Sequence, residues 1–174
     1  MKGCMAIDRQ KTETVHWHAV FTASRAEKKV RGRLEERGVE CFLPVQTVLK
    51  SRVVVPVIAG LFFVRVSRQE QVKVLQTKGV VAFLRLKGEA GAAVIPDKQM
   101  EDFRFLLDFS EEAVEMTNEN IKAGDLVRVV KGSLRGMEGE LIRHKGVTKV
   151  LVRIDMLGCA MVNIPASFVE KLNK

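Results

Sequence analysis

Apolar and polar positions over residues 15–22 (VHWHAVFT) carry the β-branched and aromatic content of a strand. Beyond it the period lengthens. Ala26, Val30 and Leu34 mark one apolar stripe, Ser24 and Glu27 have capping-box spacing, and Gly38 supplies a stop, so a helix is expected between them. Residues 40–45, 46–55 and 61–66 read as further strands, with Pro44 and Pro56 at ends or edges because proline cannot donate to a ladder. Ser67 and Glu70 repeat the capping box and open a second helix with Val72 and Leu75 as its apolar positions and Gly79 at its end. A strand over 80–86, a turn through Gly88 and Gly91, and a helix after Pro96-Asp97 that buries Met100, Phe103, Leu106 and Leu107 complete this part. The order of elements predicts an α+β fold, an N-terminal α/β sandwich on an antiparallel sheet.

From residue 122 onward the pattern changes to short β-rich segments at 126–130, 138–143, 149–154, 160–164 and 168–170, which predicts a small five-stranded, SH3-like barrel. Between the two patterns, EEAVEMTNENI (111–121) has no clear period. Charge marks the same boundary: residues 1–110 carry +7, residues 111–121 carry −4 and residues 122–174 carry +5. The expected organisation is a polar leader (1–14), an N-terminal domain (15–110), an acidic linker (111–121) and a C-terminal domain (122–174). A short helical extension is the alternative for the linker.

Gly132, Gly136 and Gly139 in DLVRVVKGSLRGMEGE raise the question of a phosphate-cradling loop. A P-loop needs GxxxxGK[ST] between a strand and a helix; here no GK[ST] occurs and another strand follows. Glycines that let the chain reverse between strands account for the stretch.

Composition narrows the function classes. A net charge of +8 and a pI near 9.6 favour a polyanionic partner, nucleic acid or an acidic protein surface. Cys4, Cys41 and Cys159 are odd in number and far apart, which supports neither a disulfide framework nor a zinc knuckle and fits a reducing cytoplasm. The N-terminus lacks the apolar stretch of a signal peptide, and residues 53–64, broken by Pro56 and Gly60, fall short of the ~20 residues that span a bilayer. No GxSxG, HExxH or acid/base carboxylate pair is present. His16 and His18, two apart on a strand, read as strand-edge residues rather than metal ligands, and Asp97, Glu101 and Asp102 as helix-start charges. No catalytic residue, metal or cofactor is expected.

GDLVRVVKGSLRGMEGEL, KVLVRIDMLG and FVEKL resemble the KOW module of the NusG family of transcription elongation factors. Upstream, HWHAVFTASRAEKKVRGRLEERGVECFLP, IAGLFFVRV, TKGVVAFL and VIPDKQM resemble that family's N-terminal domain in order and spacing. The resemblance runs from about Trp17 to Leu172. VECFLPVQ and VIPDKQM are similar to the specialised paralogues of the RfaH and UpxY types, which act as antiterminators on selected operons, often for surface polysaccharides. Ala59-Gly60-Leu61 departs from the family's frequent Pro-Gly-Tyr and removes an aromatic from the expected contact.

The resemblance implies a cytoplasmic, monomeric, non-enzymatic factor that binds elongating bacterial RNA polymerase and suppresses pausing or termination. It places Phe21, Ile58, Leu61 and Phe63 in a depression that grips the clamp helices of the largest polymerase subunit, with Trp17 as support or core. Strand alternation puts Leu61 and Phe63 on one face and Phe62, Val64 and Val66 on the other, one packed on helices and one expected to be free. Arg25, Lys28 and Lys29 are implied contacts to upstream or non-template DNA. Glu70 and Gln71 fall near a second polymerase contact, Glu70 being equally a cap. Met156 and Leu157 occupy the KOW loop that engages a ribosomal protein or Rho, with minor core as the other reading. An RNA-binding or ribosome-associated KOW protein, touching RNA through Lys131, Arg135 and Arg143, is the alternative function.

Overall fold

The strand expected near the start of the chain forms as β1 (His16–Thr22) in the computed structural model, which describes residues 13–48 and 51–173. Residues 1–12 of the expected leader, with Cys4, and positions 49–50 of an expected strand lie outside the described residues. β1 pairs antiparallel with β5 (Leu61–Val66) and β6 (Val80–Phe83), and β2 (Glu40–Phe42) adds to β5, giving the order β2-β5-β1-β6. A separate hairpin is made by β3 (Val45–Val48) and β4 (Val53–Pro56).

Register decides which side chains meet. Phe21 lies opposite Leu61 and Ala19 opposite Phe63 on one face, Val20 opposite Phe62 on the other. The Val20/Phe62 face, with Val64 and Val66, packs on Val30 and Leu34 of α1 (Glu27–Glu35) and Val74 of α2 (Gln71–Leu75). The opposite face is covered by α3 (Asp97–Phe109), whose Met100, Phe103 and Leu106 are fully buried. Phe103 stands edge-on to Phe42 and Phe63, with ring centroids 6.0 and 6.1 Å away. The expectation of one free sheet face is therefore corrected: the apolar residues of α3 need burial too, and they find it there.

The two capping boxes diverge. Ser67 and Glu70 form the reciprocal pair, Glu70 Oε2 accepting from Ser67 N at 2.9 Å and Ser67 Oγ from Glu70 N at 3.3 Å. Ser24 and Glu27 do not, because Arg25 turns at φ +60 and the helix begins only at Glu27. In α2 the expected stripe is also wrong. Val72 is 55% exposed and Leu75 is exposed, while Val74 is buried. A helix of five residues has no second turn to fix a face, so the one side chain that reaches the core sets its rotation.

The C-terminal segments appear as β8 (Asp125–Val129), β9 (Glu138–His144), β10 (Val147–Ile154), β11 (Gly158–Asn163) and β12 (Val169–Lys171), after a short 3-10 turn. A sixth strand, β7 (Glu115–Thr117), comes from the segment expected to be linker and pairs with β11. The order is β12-β8-β9-β10-β11-β7. Gly158 explains why β7 fits: a Cβ there would lie 2.0 Å from the Thr117 carbonyl oxygen. Gly132 and Gly136 take the positive φ of turns, as expected, but Gly139 sits within β9, where a Cβ would meet the Leu151 carbonyl at 2.8 Å. Its absence of a side chain serves close strand approach rather than reversal.

Candidate functional site

The face of the sheet under α3 gathers the apolar residues singled out from sequence, but to different depths. Trp17 is buried and stacks under the Arg104 guanidinium, 5.1 Å from its ring centroid. Leu61 and Phe63 are 2% and 0% exposed, so they are core and offer no surface of their own. Phe21, near the end of β1, keeps 39% exposure. Ile58 is half-buried, on the turn between β4 and β5.

That turn is held at three points. Val57 N–H donates to the Pro44 carbonyl at 2.8 Å, and Thr22 N–H to the Gly60 carbonyl at 2.9 Å. Gly60, at φ +70, donates its own N–H to Glu27 Oε1 at 2.7 Å. The Glu27 side chain, in a residue only 7% exposed, thus serves a turn 33 residues away rather than its own helix end. Sequence reading assigned Glu27 to a cap and missed this; the signal available was an acidic residue alone among Arg25, Lys28 and Lys29.

In the C-terminal sheet Met156 is exposed at φ +67, and Leu157 is half-buried. Leu157 lines a hollow of about 320 Å³ with Ile58, Met116, Thr117 and Asn118. Two sites that the sequence places in separate modules therefore face each other across one hollow. Gln99 of α3 accepts the Asp155 N–H at 2.8 Å beside it, and Gln46 of β3 accepts the Val114 N–H at 3.0 Å.

The segment between the modules is fastened along its length. Glu115 pairs with Lys149 at 2.8 Å, and Lys149 is only 4% exposed, so this carboxylate is its ion-pair partner across β11. Farther on, Arg153 donates to the Ile121 carbonyl at 3.0 Å and forks onto both oxygens of Glu140 at 2.6 and 2.9 Å, while Gly124 N–H donates to Glu140 at 3.0 Å. The Arg153 hydrogen bonds hold the Glu140 carboxyl below its ordinary range, and Glu140 in turn raises the guanidinium's pKa. These contacts tie the segment expected to be the acidic linker (111–121) to the C-terminal sheet.

The basic residues Arg25, Lys28 and Lys29 are all exposed, as are Lys131, Arg135 and Arg143 in the C-terminal sheet. Glu70 is engaged in its capping box. Gln71 lies with its amide nitrogen 3.4 Å from His18 Nε2, and His18 Nδ1 is 2.8 Å from the Ala93 carbonyl. This arrangement suits a neutral ring that donates from Nδ1, and burial lowers the His18 pKa. Among the described residues no cluster of three or more His, Cys, Asp or Glu side chains is placed to hold a metal ion. Among them, too, no helix is long and apolar enough to cross a membrane.

Comparison with known proteins bears on these surfaces. The family model described as transcription termination factor NusG matches residues 15–104, just over half of the chain. A solved structure of Thermotoga maritima NusG, a study of domain interaction, is 21% identical and covers 92% of this chain and 98% of its own, with a TM-score of 0.52, a likeness of fold. An MjSpt4:Spt5 complex in conformation B is 16% identical, covering 91% of this chain and 97% of that one, but its TM-score of 0.32 is too low to carry an argument. Comparison with curated proteins gives no match.

Proposed function

The chain belongs to the NusG family of transcription factors, and from that premise we propose that it binds elongating bacterial RNA polymerase and suppresses pausing or termination. The reading is carried by one observation. Phe21 and Ile58 remain accessible on or beside an apolar sheet face whose other members are packed, and exposed Arg25, Lys28 and Lys29 follow closely along the chain from Phe21. Phe21 and Ile58 meet the clamp helices of the largest subunit, with Trp17, Leu61 and Phe63 as the rigid floor beneath them. The basic residues steady upstream or non-template DNA through phosphate contacts that are salt-sensitive and largely independent of sequence. Gln71 and Glu70 extend the contact at the start of α2.

Met156 and Leu157 take the KOW partner, a ribosomal protein or Rho. Because Ile58 and Leu157 line the same hollow, the polymerase and the KOW partner would meet at neighbouring surfaces. The motifs VECFLPVQ and VIPDKQM support a specialised antiterminator of the RfaH or UpxY type, serving selected operons such as surface polysaccharide loci, in the cytoplasm and as a monomer.

The test is recovery of polymerase from a bacterial lysate on the immobilised full chain. Ile58→Asp and Phe21→Asp place a charge in the apolar contact and should abolish recovery while a cooperative thermal transition persists. Phe63→Asp should instead unfold the protein, since that ring is wholly buried. Ribosomal particles recovered without polymerase would replace this reading with the RNA-binding or ribosome-associated one.

A further inference from the structure

We infer that Glu27 is a positioning residue for the Ile58 contact: its buried carboxylate fixes the 57–60 turn and so sets where Ile58 stands relative to Phe21. This rests on the polymerase-binding reading of that surface. A glycine at φ +70 with its carbonyl bound to Thr22 N has one remaining backbone donor, and an N–H left without a partner in a half-buried turn leaves that turn free to shift. Glu27 supplies the acceptor at 2.7 Å, at the short end of the N–H···O range.

Rigidity on both sides makes the bond directional. Glu27 is the first residue of α1, and Val30 and Leu34 lock that helix into the core with no exposure, so the carboxylate is presented from a fixed base. On the receiving side, Phe21 and Leu61 are register partners, and Thr22 and Gly60 continue the same ladder by one more hydrogen bond. Moving Gly60 therefore moves Ile58 against a strand that stays still. The same residue also joins two surfaces, because Lys28 and Lys29 follow it directly on α1. The apolar contact and the basic helix are held in one frame by a single side chain.

Length and charge of the side chain can be separated. Glu27→Asp keeps the charge but withdraws the carboxylate by one methylene, and Glu27→Gln loses the charge but keeps an oxygen where Oε1 stands. In the full-length protein, amide hydrogen exchange at Gly60 and the Ile58 methyl shift report the turn, and affinity for a bacterial core polymerase elongation complex reports the contact. Glu27→Asp should speed Gly60 exchange, move the Ile58 methyl shift and weaken polymerase binding by about tenfold, while thermal unfolding stays cooperative. Glu27→Gln should stay within about twofold of wild type in both readouts. Unchanged Gly60 exchange in Glu27→Asp overturns the inference, as does a Gln variant as impaired as the Asp one, or faster exchange with unaltered affinity. Failure of the wild-type chain to bind polymerase removes the functional reading instead, and the positioning of the turn by Glu27 is then decided by Gly60 exchange and the Ile58 methyl alone.

Discussion

The N-terminal sheet carries its own roof on each side, α1 and α2 over one face and α3 over the other, whereas the C-terminal sheet has no α-helix of its own among the described residues. It leans on α3 and on the strap of residues 110–124. The cores differ accordingly. Val30, Leu34, Phe62 and Val74 form a cluster confined to the first module, while the cluster containing Phe63 and Phe103 runs on through Val127, Val150 and Ile154 of the second. A chain can thus have two modules by sequence pattern and still share one of its cores between them.

Three perturbations separate the self-roofed sheet from the borrowed one. Phe103→Ala removes the ring that meets Phe42 and Phe63 and should cost about 3–5 kcal/mol, the largest effect, read as a lower midpoint in denaturant. If both modules rely on the α3 core as described, their spectroscopic transitions should fall together. Gly158→Ala should cost about 2–3 kcal/mol, because the new Cβ meets Thr117 O at 2.0 Å and φ is +108. The loss should be local: β7 amides lose hydrogen-exchange protection while those of β1 and β5 keep theirs. Equal loss in both sheets would mean the strap is as much a part of the N-terminal fold as α3 is.

Acidification gives the smallest and most selective contrast. The folded His18 pKa is lowered by burial, so below about pH 6.5 the unfolded chain takes up a proton that the folded one refuses, and stability falls. Glu140 is lowered chiefly by its hydrogen bonds from Arg153, so its contribution persists down to about pH 4.5 and is lost below that, as the pH passes through the depressed folded value. Exchange protection around β1 should therefore weaken in the first window and that around β9 only in the second. His18→Gln should flatten the upper window and leave the lower one unchanged.

Periodicity and turn residues placed most elements, but the single strand expected over 46–55 is instead a hairpin of β3 and β4. The five C-terminal strands and α3 could be read because each has a clean pattern and, for α3, a Pro-Asp start. The pairing of β7 could not: Glu115, Met116 and Thr117 are too few to show alternation, and what recruits them is Gly158 and Lys149, more than 30 positions away. The capping boxes make the same point. Identical spacing gave reciprocal hydrogen bonds at Ser67 and Glu70, in the turn that leads into α2, and failed at Ser24/Glu27, where the Glu27 carboxylate binds Gly60 instead. Among the candidate site residues, strand alternation correctly put Leu61 and Phe63 on one side but could not say that α3 would cover it. Phe21 stays exposed through its place near the strand end, which only the registered sheet reveals.

The strap also sets a mechanical order of events. Once the first module has parted from the second at the shared α3 core, tension enters β7 at Val114 and loads the Glu115–Lys149 pair to β10 ahead of the Met116 and Thr117 pairings with β11. β7 is paired by only three residues, so little holds it to β11 once that ion pair has broken. Each residue freed adds ~3.5 Å of extended chain, so releasing 115–121 lengthens the connection by roughly 25 Å before the Arg153 fork on Glu140 feels the load. The molecule thus holds a reserve of reach folded into the edge of its own sheet, with a buried lysine as the first stitch to give.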